Sequence, residues 1–499
     1  MSKHDERYMW LALVVVVIGT FMSILDTSIV NIAIPKMMTI FGASTDQIEW
    51  VLTGYMLTMG IVIPLTGYLG DSFGYKRIYI FALTVFTIGS ALCGIASSTQ
   101  TMVAARVVQA VGGGMIMPIG MSMTYRIIPL EKRGLALGIW GISAMAAPAI
   151  GPTLSGYIVE YLDWRLIFMI NVPVGIIGVT LAMIILRETP RVKNMKFDLG
   201  GALTAGIGLF TLLLALSEAS SKGWSSGYII GLLVVAALSL TTFVLIELVH
   251  SQPLLDLRVL KIFPFTLSLF INIVTTIGLF GGVFLIPLYM ENLRGYSAMQ
   301  TGVLMFPSAV ATGIAMPISG KLFDKYGAKW LTIIGLAALT ISTYVLSKMT
   351  MDTPYDTVML VLIIRGLGMG LCMMPSQTAG MNSIPPAEVG RASALNNTIR
   401  QASGSFGIAV LTTIMQNRQA FHAAVYTENL NLNSPQVVQA QAMIQEALSQ
   451  HGMSMAAAKT GTVLQLFSTV MQQAMASALD DTFLVSAGIC LIAIPLAFL

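Results

Sequence analysis

Asp26 is a carboxylate set inside an apolar run, Leu25-Asp26-Thr27-Ser28-Ile29-Val30-Asn31-Ile32-Ala33-Ile34-Pro35. The stretch around it, from about 10 to 34, reaches the roughly 20 apolar residues that cross ~30 Å of hydrocarbon. A charge at that depth costs about 2.5–3.5 kcal/mol on insertion scales, so an acidic side chain there points to an ion or proton relay. The competing reading is a structural carboxylate satisfied by a neighbouring helix. Three cations, Arg106, Arg365 and Arg400, stand inside other apolar stretches. Each is either a partner for a carboxylate or substrate, or a guanidinium neutralised by helix C-termini and backbone carbonyls. Glu291 falls at the outer end of an apolar stretch, where a solvated carboxylate is the simpler reading and a second charge site that draws in cations is the other. His4, His250, His422 and His451 are all assigned to loops, so proton chemistry within the membrane falls to carboxylates.

The elements that must position these groups follow from composition. Of 499 residues, 56% are hydrophobic and 10% charged, against about 25% charged in soluble domains. The chain is an integral membrane protein. Apolar segments lie at about 10 to 34, 48 to 69, 78 to 97, 101 to 123, 134 to 157, 166 to 186, 199 to 217, 227 to 249, 265 to 290, 299 to 319, 331 to 348, 356 to 380, 392 to 416 and 482 to 498, and open β edges cannot face lipid. The fold class is therefore all-α, with about 14 transmembrane helices. The first segment is too long for a signal-peptide core and is read as a retained span. Basic residues gather in loops on the side of the N-terminus, among them Lys76, Arg77, Lys132, Arg133, Arg187, Arg191, Lys193, Lys196, Lys321, Lys325 and Lys329. The positive-inside rule then puts both termini in the cytoplasm. Cys93, Cys372 and Cys490 show no paired spacing, and the scattered basic residues do not form a nucleic-acid surface. No nucleophile–base constellation, metal-ligand cluster or phosphate loop appears, which sets aside a membrane-embedded enzyme or receptor.

The chain also repeats itself. Pro64, Gly67, Leu69, Asp71, Gly74 and Lys76 recur at one constant interval as Pro317, Gly320, Leu322, Asp324, Gly327 and Lys329. Two six-helix halves related in this way are a transporter architecture, with the substrate site between them near the midplane. The predicted organisation is a half at 1–190, an inserted two-helix pair with linkers at 191–260, and a second half at 261–499. The polar stretch 419–481, with helical spacing at Val437 to Leu448 and Val463 to Leu479, is read as a packed extracytoplasmic loop. Its methionines, Met443, Met453, Met455, Met471 and Met475, are read as packing, not as metal ligands. The chain stops at Leu499 inside the last segment, the pattern of a shortened C-terminus.

The repeated Gly-x-Leu-x-Asp-x-x-Gly-x-Lys loop resembles the signature loop of the major facilitator superfamily, with Ser72 and Tyr75 where basic residues are common in the family. The resemblance makes Gly67, Asp71, Gly74, Lys76 and Arg133, with Gly320, Asp324, Gly327, Lys329 and Arg391, a conformational latch. Asp71 either accepts from a helix N-terminus or pairs with Arg133, and Asp324 likewise with Arg391. Gly138, Ala147, Pro148, Gly151, Pro152, Ser155 and Gly156 are similar to the antiporter motif of the superfamily's exporters, with small residues for close helix packing and prolines that bend the span. The first-span run, the stretch Asp163-Trp164-Arg165 to Asn171-x-Pro173 and the six-plus-two-plus-six count resemble the fourteen-span drug:proton antiporters. Arg106-Val-Val-Gln109-Ala110 is similar to their fourth-span motif, whose arginine is implicated in proton coupling. The resemblance thus implies Asp26 and Arg106 as the proton-coupling pair, and Asn31, Tyr55, Gln109, Asn171, Glu291, Arg365, Asn397 and Arg400 as pocket candidates. The activity it implies is export of amphipathic, cationic compounds driven by the proton gradient, with no cofactor, from the inner membrane of a bacterium. A periplasmic adaptor is an expected partner if that bacterium has two membranes. The 33 methionines suit an adaptable pocket. A dedicated exporter of one metabolite, antibiotic, siderophore or lipid is the alternative, favoured by three buried arginines against one aspartate.

Overall fold

The computed structural model describes residues 3–192, 195–429, 435–450 and 454–498. Lys193, His451, Met453 and Leu499 lie outside the described residues. The first half contains α1 (Lys3–Phe41), α2 (Thr45–Val62), α3 (Thr66–Phe73), α4 (Tyr75–Gly94), α5 (Thr99–Ile127), α6 (Arg133–Tyr161), α7 (Leu166–Met169) and α8 (Asn171–Ile185). The inserted pair is α9 (Leu199–Lys222) and α10 (Gly227–Val249). The second half contains α11 (Phe263–Pro287), α12 (Ala298–Tyr326), α13 (Lys329–Leu346), α14 (Tyr355–Asn382), α15 (Val389–Asn429), α16 (Pro435–Gln450) and α17 (Met455–Leu496). No strand occurs among the described residues.

Among these residues, 13 helices are long and apolar enough to cross a membrane. The fourteenth expected span lies within α15, which falls short on hydropathy because Arg391, Asn396, Asn397, Arg400 and Gln401 interrupt it. Those residues sit where α15 packs against α3, α5 and α9 of the rest of the chain, so its polarity faces protein and not lipid.

Two seams join the halves. Along one, α6 lies on α12, and a methyl group added at Gly138 would come within 2.6 Å of the Pro317 Cα, so this backbone approach needs glycine. Along the other, α3 meets the start of α15. In both repeated loops a glycine makes the turn in the left-handed region: Gly74 at φ 95° and Gly327 at φ 79°. The inserted pair lies across the second seam, with α9 packed on α2 and α15. Trp224, in the link between α9 and α10, donates its Nε1–H to the Thr413 hydroxyl at 2.7 Å.

In the expected loop at 419–481 the two segments with helical spacing, Val437 to Leu448 and Val463 to Leu479, are helical, and the helix extends further than expected. The described residues of this stretch are helical: α15 runs on to Asn429, α16 follows, and α17 passes without a break into the last span. Glutamine, alanine and methionine are strong helix formers, so a polar composition here marked solvent and not loss of helix. His422, expected in a loop, sits on α15, where it and Arg418 meet Asp481 of α17 at 2.7 and 2.6 Å. The Tyr426 and Ser477 hydroxyls, 2.7 Å apart, make a second clasp between the same two helices.

Candidate functional site

α1, α2, α4, α5 and α8 converge on Asp26, which is fully buried. Arg106 Nη1 donates to Asp26 Oδ2 at 2.5 Å. Gln109 Nε2, one helical turn along α5, donates to Oδ1 at 2.8 Å, and Asn171 Nδ2, in the first turn of α8, donates to the same oxygen at 3.0 Å. Three donors therefore cover the carboxylate. The guanidinium is held from behind: Arg106 Nε donates to the Val51 carbonyl at 3.3 Å, Nη1 also reaches Gln109 Oε1 at 2.6 Å, and the Tyr55 ring lies 3.9 Å from its centre. Tyr55 is thus a cation–π wall of the pair.

The i, i+3 spacing of Arg106 and Gln109 is what puts both on one face of α5. Sequence reasoning missed Ser90, whose hydroxyl accepts from Asn171 Nδ2 at 3.1 Å and donates to the Phe168 carbonyl at 2.8 Å, fixing the amide in place. Nothing in the sequence separates Ser90 from other serines of apolar segments. Removing either member of this buried ion pair leaves an uncompensated charge. Chemically the cluster can hold one negative charge against one positive charge.

The other candidates scatter. Asn31 is exposed on α1, and Glu291 is part-exposed in a wide π-helical turn, Leu288–Leu293, at the end of α11. Neither joins the Asp26 cluster. Arg365 is buried in α14 and donates to the Gly278 carbonyl and to Thr343 Oγ1, the latter at 3.5 Å. Asn397 and Arg400 lie on α15 against α5, touching the sulfurs of Met121 and Met117. Gln377 of α14, not singled out in the sequence, reaches the Met121 sulfur at 3.3 Å.

The pairings of Asp71 with Arg133 and of Asp324 with Arg391 are corrected, while Asp324 takes the helix N-terminus that was its alternative. Asp71 pairs with Arg126 at 3.0 Å and accepts from the Tyr75 hydroxyl at 2.9 Å, because Arg126 on the last turn of α5 reaches it first. Arg133 turns instead to the Tyr125 and Ile128 carbonyls and to Asn382 Oδ1 at 2.9 Å. Asp324 has no bond to Arg391. Its two oxygens accept the Gly134 and Leu135 N–H groups at 2.8 and 3.0 Å, capping α6 of the other half. Arg391 lies on the opposite seam, its backbone packed against Gly67, as Gly320 packs against Gly134. Lys76 donates to the Met183 carbonyl at 2.7 Å, and Lys329 lies over the Phe498 ring. In the antiporter motif, Gly151 abuts Ser28 of α1, and Ser155 donates to the Ile29 carbonyl at 2.7 Å. Gly156 faces open space, so close packing does not explain it. Pro148 and Pro152 both fall within the unbroken α6.

A family model described as Major Facilitator Superfamily matches residues 16–408. The chain belongs to the Major Facilitator Superfamily. This major facilitator protein is 30% identical over 485 residues to the multidrug export protein EmrB of Escherichia coli (strain K12), over 96% of this chain and 93% of that one. The riboflavin transporter RibZ of Clostridioides difficile (strain 630) is 33% identical over 405 residues, 81% of this chain and 88% of its own. Among solved structures, the proton:xylose symporter XylE bound to 6-bromo-6-deoxy-D-glucose has a TM-score of 0.61 at 14% identity, covering 85% of this chain and 91% of that one, a likeness of fold alone. The protein is a multi-pass membrane transporter of the major facilitator fold, with relatives in multidrug efflux.

Proposed function

We propose that the protein is a proton-coupled antiporter that exports amphipathic drugs or toxic compounds. The observation that carries this reading is the sealed Asp26–Arg106 pair, with Gln109 and Asn171 completing it. A rocking of the halves that draws Arg106 from Asp26 changes the carboxylate's hold on a proton, because an opposite charge nearby favours the ionised form. A proton moving through 100 mV supplies about 2.3 kcal/mol, enough for a roughly 50-fold substrate gradient. In this reading both termini and the two repeated loops face the cytoplasm of a bacterial inner membrane. The cation preference expected from Asp26 has little support, since Arg106 already neutralises the carboxylate and the side chain is fully buried.

The test is efflux of fluorescent amphipathic dyes from energised cells expressing the wild-type chain or Asp26→Asn, with and without a protonophore. Protonophore-sensitive efflux that the variant loses at equal membrane expression supports the reading. A variant that pumps like wild type removes Asp26 from the coupling. The second reading, a dedicated exporter of one compound, is favoured by the likeness to a riboflavin transporter. It takes over if wild-type cells pump none of the dyes.

A further inference from the structure

Arg400 lies part-way along α15 on the face turned to α5 of the other half. Its Nη2 donates to the Met117 sulfur at 3.1 Å, and no ion pair among the described residues includes it. No charged group stands close enough to act on it. A guanidinium carries five N–H donors, and a thioether is a weak acceptor, so this cation is under-satisfied. It is also only part-buried.

Two amides share the arrangement. Asn397 Nδ2 and Gln377 Nε2 both point at the Met121 sulfur, at 3.6 and 3.3 Å. One face of the second half thus presents a guanidinium and two amide donors to methionine sulfurs of the first half; Asn397 Nδ2 also donates to the Ser393 carbonyl of its own helix at 2.9 Å, so the guanidinium is the least satisfied of the three. Methionine is flexible and polarizable, so it can withdraw for a ligand or pack along an apolar body. A planar oxyanion matches the guanidinium fork bidentately, which a quaternary ammonium cannot do. The charge ledger points the same way, because Asp26 neutralises Arg106 and leaves the charge of Arg400 unanswered.

We infer that Arg400, Asn397 and Gln377 form a head-group subsite for amphipaths that carry a carboxylate or sulfonate, with Met117 and Met121 as the adaptable bed for the apolar body. The inference rests on the export reading and names its cargo. A guanidinium contact desolvated in this way supplies binding energy chiefly for the anionic member of any matched pair of ligands.

The test is equilibrium binding of two matched fluorophores, dansylglycine with its carboxylate and dansylcholine with its quaternary ammonium, to the purified full chain in detergent. Wild type is expected to bind dansylglycine about tenfold tighter, a difference near 1.4 kcal/mol. Arg400→Gln is expected to lose that advantage while dansylcholine affinity stays within about twofold, and Arg400→Lys to recover part of it. Equal affinity of wild type for the two dyes, no binding of either, or an equal loss of both in Arg400→Gln overturns the inference. Met117→Glu offers a check that does not remove the arginine, because it supplies an internal carboxylate and is expected to exclude dansylglycine. Unchanged dansylglycine binding in that variant also overturns the inference. Detergent binding needs no gradient, so dansylglycine selectivity without protonophore-sensitive efflux in cells would sink the export reading and leave the subsite standing.

Discussion

Arg106 in α5 and Arg365 in α14 sit in corresponding helices of the two halves, both deep in the bundle, and their surroundings answer the charge in opposite ways. The first faces a carboxylate, the Gln109 amide, a backbone carbonyl and an aromatic ring. The second faces a backbone carbonyl and a hydroxyl, and α11 carries glycines there, Gly278 and Gly282, where α1 carries Asp26. A pair containing a carboxylate can exchange a proton, whereas a guanidinium held by neutral dipoles keeps its charge at any physiological pH. The two halves thus hold corresponding arginines in different ways, one against a carboxylate and one against neutral dipoles. In the proposed reading, proton chemistry and cargo recognition fall on different helices.

The sharpest way to break this contrast is to remove each arginine in turn. Arg106→Leu leaves Asp26 buried without its cation and is expected to cost about 3–5 kcal/mol, read as a large fall in the thermal midpoint in detergent together with loss of gradient-driven efflux. Arg365→Leu leaves only a carbonyl and a hydroxyl without their donor, a cost of about 1–3 kcal/mol, with protonophore sensitivity retained. Equal effects of the two would mean that the halves do not differ in kind. Thr343→Asp sharpens the same point by setting a carboxylate beside Arg365. The pH profile of efflux should then gain a second titrating limb, and an unaltered profile would show that the second half does not change the surroundings of Arg365 during transport.

Smaller effects are expected at the repeated loops, whose aspartates also differ. Asp324→Ala strips the cap from α6 and should lower stability by about 1–2 kcal/mol, whereas Tyr75→Phe removes one hydrogen bond from Asp71 and should lower it by about 0.5–1.5 kcal/mol. Thermal unfolding of the two variants side by side measures the difference. A larger loss in Tyr75→Phe would reverse this order.

Asp26, Arg106, Gln109 and Asn171 were legible in the sequence because an ionisable or amide side chain in an apolar run has few cheap places to go. Their partners were less so. Ser90 could equally have bonded back to its own helix, as Thr87 does to the Leu83 carbonyl, and the Val51 carbonyl has no side-chain signature at all. Arg126 reads as an ordinary cation at a helix end, so its claim on Asp71 over Arg133 depends on how α5 and α3 approach in space. The halves and their spans were legible from hydropathy. The extension of α17 showed in the helical spacing of Val463 to Leu479, whereas that of α15 did not, because a loop and a solvated helix share the same polar composition and only helix propensity separates them.

α15 has 41 residues and α17 has 42, so at ~1.5 Å per residue each is roughly 60 Å long, about twice the ~30 Å of hydrocarbon a bilayer offers. Both have their other ends at the face of the repeated loops, where Arg391 meets Gly67 and Phe498 meets Lys329. The surplus must therefore rise from the opposite face as a clasped pair of rods roughly 30 Å tall. The transporter is lopsided along the membrane normal, and in the proposed orientation that projection stands outside the cytoplasm.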